Sequence, residues 1–242
     1  MGYTGLIGGH LQAIFPTAEK YNRTNITEIR DKNFDLLLIA GLPAEKWKAN
    51  LQPDADFANK EDLVRNLQGV TAQRTVLFST VDVFERPQGV DEHSPVGINS
   101  QAYGRNRFEF EEFVKTGFRR SWILRLPGLI SEDLKKNVLY DLKNHKPTTN
   151  VPINASFQFF PLSRLKTDLE RVINMPEGTY HLTAEPISIR ELCDTFDLDP
   201  KSFAPESPKA ANYDIKTAAF EKEIPYLVTR SESLKAIREY LS

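Results

Sequence analysis

Continuous apolar runs alternate with segments of helical periodicity through the first half of the chain. The apolar runs predict buried strands at 34–41, 74–79 and 121–126. The periodic segments predict helices at 5–15, 54–67 and 103–116. In the second helix we place these residues on the buried side: Phe57, Leu63, Val64 and Leu67. A further short strand is predicted at 18–22. The alternation is typical of an α/β fold with a doubly wound parallel sheet.

The rhythm weakens after about residue 130. Helices are predicted at 133–144, 163–174, from Ser188 onward and at 231–241. Strands are predicted at 157–162 and 179–182, and a loop at 201–212. We therefore expect two domains, 1–130 and a smaller C-terminal lobe, 131–242, that interleaves with the end of the sheet.

Composition excludes several classes of function. The chain has 242 residues, 40% of them hydrophobic, and a net charge of −2, so charge gives no reason to expect nucleic acid or an anionic membrane as partner. No apolar run approaches membrane-helix length, and no secretory signal is visible, which leads us to expect a cytoplasmic protein. Cys193 is the single cysteine. The histidines lack metal-ligand spacing, and no metal site is expected.

Gly2, Gly5 and Gly8 stand at the spacing GxxGxxG. In dinucleotide-binding folds such glycines allow a tight turn, close approach of the backbone to a pyrophosphate, and close packing of the first helix on its strand. The helix N-terminus then offers N–H groups to the phosphates. The motif is weak by itself and gains weight from two motifs that lie later in the chain.

Two further positions could carry chemistry. Ser79 and Thr80 end a predicted buried strand, where α/β sheets present their active-site groups. Tyr103 and Arg107 lie one helical turn apart and share a helix face. An ordinary surface pair is the alternative interpretation of Tyr103 and Arg107.

Taken together, these motifs resemble the extended short-chain dehydrogenase/reductase family of sugar-nucleotide epimerases, dehydratases and reductases. The resemblance covers nearly the whole chain, with motifs at 2–11, 78–84, 103–111, 125–129 and 180–192. It implies a Rossmann-type NAD(P)-binding domain over 1–130, a substrate-binding lobe over 131–242, and a nucleotide-linked sugar as substrate. A homodimer is a further expectation of the resemblance.

The resemblance implies a role for each motif residue. Thr80 would hydrogen-bond the substrate oxygen, and Tyr103 would be the general acid or base of hydride transfer. The family has a lysine four residues after this tyrosine, where the chain has Arg107. Arginine keeps the positive charge but differs in geometry, so ribose contact could change or catalysis could be impaired.

The expected cofactor contacts follow from the glycine turn and the strand ends. They are Gly2, Tyr3, Thr4, Gly5, Leu6, Ile7, Arg23, Ala40, Gly41, Ser79, Tyr103, Arg107 and Pro127. Arg23 stands where NAD-preferring sites carry an acid, which favours NADP over NAD. The alternative is that Arg23 is a solvated loop charge. The candidate substrate contacts are Thr80, Asp82, Asn154 and Gln158; a turn cap is the alternative for Asp82, and core packing for the aromatic stripe around Gln158.

Two functions stay open at this point. The first is an NAD(P)-dependent oxidoreductase, epimerase or dehydratase acting on a nucleotide-linked sugar. The second is a catalytically impaired dinucleotide-binding protein that serves as redox sensor, regulator or scaffold. Arg107 at the position of the family's lysine and the unusual N-terminus suggest it.

The chain shows no strand before Gly2. In the Rossmann strand order 3-2-1-4-5-6 the first strand is central, so its neighbours would lack a partner. We expect the natural chain to begin upstream of Met1, with a closed-up sheet or a strand from another chain as alternatives. An apolar strand restored before Gly2 should raise stability and cofactor affinity.

Overall fold

The computed structural model describes residues 1–220 and 223–242. The helices are α1 (Leu6–Ile14), α2 (Lys46–Leu51), α3 (Pro53–Leu67), α4 (Ala102–Gly117), α5 (Val138–Lys143), α6 (Leu165–Val172), α7 (Ile189–Phe196) and α8 (Arg230–Leu241). The strands are β1 (Asn33–Ile39), β2 (Thr71–Thr80), β3 (Gln88–Val90), β4 (Ser121–Leu126), β5 (Gly128–Ile130), β6 (Thr148–Pro152), β7 (Ser156–Phe157), β8 (Phe159–Pro161), β9 (Gly178–His181), β10 (Ile187–Ser188), β11 (Phe203–Ala204) and β12 (Asp214–Ile215).

The chain forms two compact units, and each is discontinuous in sequence. Unit 1 comprises 1–86, 95–125 and 164–180, whereas unit 2 comprises 87–94, 126–163 and 181–242. Because 164–180 returns to unit 1, the division does not fall at one point of the chain.

A four-stranded parallel sheet with the order β1-β2-β4-β9 forms the centre of unit 1. β1 pairs with β2 in a register that runs from Asn33 opposite Thr71 to Ile39 opposite Leu77. β1, β2 and β4 correspond to the three apolar runs of the sequence, because a strand covered by helices on both faces has no polar side. The predicted α/β class with a doubly wound parallel sheet is confirmed.

Helices cover both faces of this sheet. α3 and α4 lie on one face, where they share a hydrophobic core with strand residues. That core includes Leu37, Ile39, Leu63, Leu67, Leu77, Phe110, Val114 and Ile123. Trp122 and Leu124 flank Ile123 in β4 and are fully buried on the other face, since successive side chains alternate. The indole N–H of Trp122 donates to the carbonyl of Met175, just after α6 (3.1 Å).

Phe57 was expected on the buried face of α3 and is instead 48% exposed. Leu63 and Leu67 are four residues apart and share the core face, but Phe57 precedes Leu63 by six residues. At about 100° per residue, six residues place Phe57 well away from that stripe. Its ring instead lies under the ammonium of Lys60, 4.3 Å from the ring centroid.

The predicted strand at 18–22 is wrong, because this segment is irregular. Tyr21 is nevertheless buried in the core beside the sheet, and its carbonyl accepts a hydrogen bond from the Gly2 N–H (2.7 Å). On the other side, the Met1 carbonyl accepts from the Ala40 N–H (3.1 Å), and the Met1 amino group donates to the Leu38 carbonyl (2.7 Å). Met1 and Gly2 thus lie between Tyr21 and the end of β1.

Short strand pairs organise unit 2, namely β10 with β7, β11 with β6, β12 with β3 and β5 with β8. The strand predicted at 157–162 is split at Gln158. α5 is shorter than the predicted 133–144 because Asn137, at φ 108°, caps it through the Tyr140 N–H (3.0 Å). α8 begins at a capping box of Thr229 and Glu232. In the described part of the chain, no helix has the length and apolarity that a membrane span requires.

Candidate active site

Tyr103 and Thr80 come together at the carboxyl end of β2. Tyr103 lies in the first turn of α4 and is buried, and the side chain of Thr80 lies near enough to its hydroxyl to lower the pKa of Tyr103. Gly104 permits this approach, since a Cβ there would stand 2.2 Å from the Asp82 carbonyl oxygen. The side chains of Thr80 and Tyr103, which belong to two separate sequence motifs, therefore lie close together at the end of β2.

Charged groups around this hydroxyl pair have opposing effects. Burial raises the pKa of Tyr103, and the negative charge of Asp82 acts in the same direction. Arg107, the hydrogen bond from Thr80, and Lys46 lower the pKa of Tyr103. The net shift is upward, so Tyr103 holds its proton at neutral pH.

Arg107 is a buried structural cation. Its guanidinium lies over the Tyr103 ring, 4.0 Å from the centroid, and pairs with the buried carboxylate of Asp56 in α3. It also donates to the carbonyls of Pro43 (2.5 Å) and Tyr103 (3.2 Å). The neighbouring Asn106 amide donates to the same Asp56 carboxylate (2.8 Å). Arg107 thereby ties α4 to α3 and to the segment after β1.

Ser79 belongs to a second buried ionic network. Its hydroxyl donates to Glu111 of α4 (2.5 Å), and Glu111 also accepts from Arg125 of β4 (2.6 Å). Both charged side chains are almost fully buried. The sequence analysis missed Glu111 and Arg125; the available signal was an arginine inside an apolar strand and a glutamate one turn after Arg107 on the same helix face.

The glycine turn has the tight geometry that its spacing predicts. Gly2 has φ +82°, and a Cβ on it would stand 2.2 Å from the Ala40 carbonyl oxygen. A Cβ on Gly8 would stand 2.0 Å from the Gly2 carbonyl oxygen. α1 begins after Gly5, whose backbone is extended. The helix has no side-chain cap, and its first turn, which begins with Leu6 and Ile7, contains no acidic residue. The turn thus leaves the start of α1 suited to an anionic group.

Arg23 follows a residue that contacts the glycine turn. The Asn22 amide donates to the Tyr3 hydroxyl (3.1 Å), while Arg23 donates to Asn59 of α3 (3.3 Å) and is exposed. Thr4 is exposed within the turn. Ala40 and Gly41 directly follow β1, and the Ala40 carbonyl is the group that closely approaches Gly2.

The segment that follows β1 supplies two residues that the sequence analysis missed. Lys46 of α2 forms an ion pair with Asp82 (2.8 Å). Asn50, also of α2, accepts a hydrogen bond from the Tyr103 N–H (3.0 Å) and so caps α4, which has no cap from its own Gln101. No local sequence motif marks these residues, because each acts on a group more than thirty positions away.

The remaining candidates belong to unit 2. Pro127 lies between β4 and β5. The Asn154 amide exchanges hydrogen bonds with the Ser207 backbone (3.1 and 3.0 Å). Gln158 is buried, and its amide bonds to the backbone of Ala184 and Ile215. Within the described residues, no group of three His, Cys, Asp or Glu side chains could hold a metal ion.

The fold is of the Rossmann type. No family model matches the chain, and no curated protein matches it. Among solved structures, the chain is similar to the Bordetella bronchiseptica enzyme WbmG in complex with NAD, with a TM-score of 0.72, 14% identity, and coverage of 99% of this chain and 91% of that one.

Two further enzymes show the same likeness. The dTDP-4-dehydrorhamnose reductase of Yersinia enterocolitica has a TM-score of 0.71 and 14% identity, over 99% of this chain and 96% of that one. The UDP-glucose 4-epimerase of Thermotoga maritima, solved with UDP-glucose, has a TM-score of 0.72 and 12% identity over the same shares, 99% and 96%. At such identities the likeness establishes the fold.

Proposed function

We propose that the chain is an NAD(P)-dependent oxidoreductase, epimerase or dehydratase that acts on a nucleotide-linked sugar. The observation that carries the proposal is the proximity of the Tyr103 and Thr80 side chains at the carboxyl end of a parallel strand. Ligands of open α/β sheets bind at this end of the strands. The structural neighbours, which include a reductase and an epimerase of nucleotide sugars, support the same class of reaction.

The glycine turn and the start of α1 would hold the dinucleotide. Gly2, Gly5 and Gly8 leave the backbone open to a pyrophosphate, and the N–H groups that begin α1 would donate to it. When bound, the nicotinamide would accept or supply a hydride. We propose NADP as the preferred form, because Arg23 could pair with a 2′-phosphate.

Thr80 and Tyr103 would act on the oxygen of the reacting sugar carbon. Thr80 would orient that oxygen by a hydrogen bond. The upward shift in the pKa of Tyr103 keeps its proton on the phenol, which suits the role of general acid toward a carbonyl oxygen. Unit 2, which contains the predicted lobe 131–242 apart from 164–180, would bind the nucleotide-sugar substrate.

Cofactor binding is the first test. Saturating NADP or NAD, at about 100 times its Kd, should stabilise the protein by about 2.7 kcal/mol and raise the Tm. Arg23→Gln should weaken NADP binding while NAD binding stays unchanged. If neither dinucleotide raises the Tm, the proposal fails.

Turnover is the second test. A panel of nucleotide sugars should reveal a substrate, followed by NADPH or NADH oxidation for a net oxidoreductase and by product analysis for an epimerase or dehydratase, which consumes no net cofactor. Tyr103→Phe should abolish the reaction while cofactor binding is retained. The alternative, a non-catalytic dinucleotide-binding protein, is favoured by the commitment of Arg107 to Asp56. It predicts cofactor binding without turnover on any member of the panel.

A further inference from the structure

Three buried side chains follow one another at four-residue intervals along α4. Tyr103, Arg107 and Glu111 therefore share one face of the helix. Arg107 is held by Asp56 of α3, whereas Glu111 is held by residues of the central sheet. Glu111 is thus the member of this row that connects the helix of Tyr103 to the strand that ends at Thr80.

Glu111 holds the residue that directly precedes Thr80. The Ser79 hydroxyl donates to the Glu111 carboxylate (2.5 Å), and Arg125 of β4 donates to both oxygens of that carboxylate (3.1 and 2.6 Å). The Glu111 side chain is fully buried, and that of Arg125 is 3% exposed. Because a bidentate arginine–carboxylate pair adds geometric specificity, Ser79 is attached to a partner with a fixed orientation.

The same arginine also contacts the segment that follows Thr80. Its guanidinium lies 5.1 Å from the ring centroid of Phe84, a buried residue that directly follows the turn after β2. The Thr80 hydroxyl caps that turn by accepting a hydrogen bond from the Asp82 N–H (3.1 Å). The chain on both sides of Thr80, at Ser79 and at Phe84, is therefore attached to one buried ion pair.

We propose that Ser79, held by the Glu111–Arg125 pair, is a positioning residue that fixes the Thr80 hydroxyl relative to Tyr103. This inference rests on the proposed function, in which Thr80 and Tyr103 act on one substrate oxygen. The role differs from the cofactor contact that the sequence motif implies for Ser79, because a carboxylate can only accept and the Ser79 hydroxyl proton is therefore directed to Glu111.

Steady-state kinetics on the substrate found with the nucleotide-sugar panel is the first test. Ser79→Ala removes one hydroxyl and leaves the buried ion pair intact. The kcat should fall about 10-fold, because misplacement of a reacting group by about 1 Å can cost about 100-fold in rate. The KM and the Kd of the dinucleotide should stay unchanged. Ser79→Thr keeps a hydroxyl at this position and should retain the wild-type kcat.

A second measurement needs no turnover. Tyrosine labelled with ¹³C at the ring carbon that bears the hydroxyl gives one NMR signal per residue, and Tyr103→Phe identifies the signal of interest. Thr80→Val removes the hydroxyl beside Tyr103 and defines how the signal moves when that neighbour is lost. In the ligand-free protein, Ser79→Ala should move the Tyr103 signal in the same direction, and Ser79→Thr should leave it in place.

A matched control lies at the other end of the same strand. Thr71 begins β2, and its hydroxyl donates to Asn33 of β1. Thr71→Ala should leave kcat, KM and the Tyr103 signal unchanged, while near-ultraviolet circular dichroism confirms that each variant keeps its fold. In an active protein the proposal requires both effects of Ser79→Ala, and either one alone overturns it. A higher dinucleotide Kd with wild-type kcat also overturns it, since Ser79 would then be a cofactor contact.

The NMR and the enzymatic tests fail separately. If the protein turns over no nucleotide sugar but Ser79→Ala moves the Tyr103 signal, the proposed function is wrong and the structural link from Ser79 to Thr80 stands. If turnover is found and neither kcat nor the signal responds to Ser79→Ala, only the role of Ser79 is refuted. A fall in kcat that is equally large in Ser79→Thr likewise refutes the role of the Ser79 hydroxyl.

Discussion

Arg107 contributes packing and charge balance at once. Its guanidinium covers the face of Tyr103 and is neutralised by Asp56, which lies in another helix. Buried charges are tolerated when they are paired and hydrogen-bonded, and here a carbonyl of Pro43 accepts a further bond. The planar guanidinium can donate to the Asp56 carboxylate and the Pro43 carbonyl at the same time, whereas the ammonium of a shorter lysine side chain cannot reach both.

Replacing Arg107 by lysine should therefore destabilise the folded protein. Arg107→Lys should lower the free energy of unfolding by about 1–3 kcal/mol, because buried acceptors at Asp56 and Pro43 lose donors. Urea unfolding measures the change. Arg105→Lys, at an exposed position of the same helix, is the matched control and should stay within about 0.5 kcal/mol of wild type. Equal stability of the two variants would contradict the assignment.

Glu111 and Arg125 make a second test at the residue scale. Both are buried, and Glu111 also accepts a hydrogen bond from the Ser79 hydroxyl. Glu111→Gln should cost about 3–5 kcal/mol, since the guanidinium of Arg125 is then left in the core without a counter-charge. The adjacent Glu112→Gln removes an exposed pair with Lys115 and should cost less than about 1 kcal/mol in the same urea experiment.

At the scale of elements, strands were easier to predict than contacts. β4 spans Ser121–Leu126, the range predicted from its continuous apolar run. The strand predicted at 18–22 was wrong because Tyr21 is buried as a single side chain in an irregular segment. In sequence, such an isolated core residue cannot be distinguished from part of a short strand. The predicted burial of Phe57 was wrong because only apolar residues on one stripe of a helix are buried together, and only the structure shows where that stripe lies.

α1 offers a paired test of the glycine turn. Gly8 and Gly9 are neighbours in the same helix, yet a Cβ on Gly8 would meet backbone at 2.0 Å, whereas a Cβ on Gly9 would meet nothing within 4 Å. Gly8→Ala should strongly destabilise the protein and abolish dinucleotide binding. Gly9→Ala should stabilise it by about 0.5–1 kcal/mol, because alanine loses less backbone freedom in a helix. Thermal unfolding and a dinucleotide titration check both; similar effects of the two variants would refute the turn geometry.

At the scale of the whole molecule, each of the two units is built from separate segments of the chain, and no linker sequence marks the boundaries between them. The chain leaves unit 1 after Arg125 and returns for 164–180, which supplies α6 and most of β9. Trp122 in β4 relies on this return, since its indole N–H donates to Met175. Sequence composition shows no boundary at these points because both crossings run through ordinary structured segments.

Truncation tests this arrangement. A fragment of residues 1–130 should fail to unfold cooperatively, since β4 loses its neighbour β9 and the face containing Trp122 loses α6. Circular dichroism in a urea series, with the full chain as control, measures the outcome. A fragment with a sharp transition and native-like Trp122 fluorescence would show that the first 130 residues form a self-sufficient unit.

The sequence by itself determined the class of fold, the glycine spacing of the first turn, and the positions of the motifs that contain Thr80 and Tyr103. These depend on local properties: apolar periodicity along the backbone, and the absence of a Cβ at Gly2 and Gly8. Only the tertiary structure decided which charge acts on which group. Arg107 pairs with Asp56, 51 positions away in the chain, and Lys46 pairs with Asp82, 36 positions away. Such pairings are governed by distance in space and by burial, and neither is encoded in residue spacing.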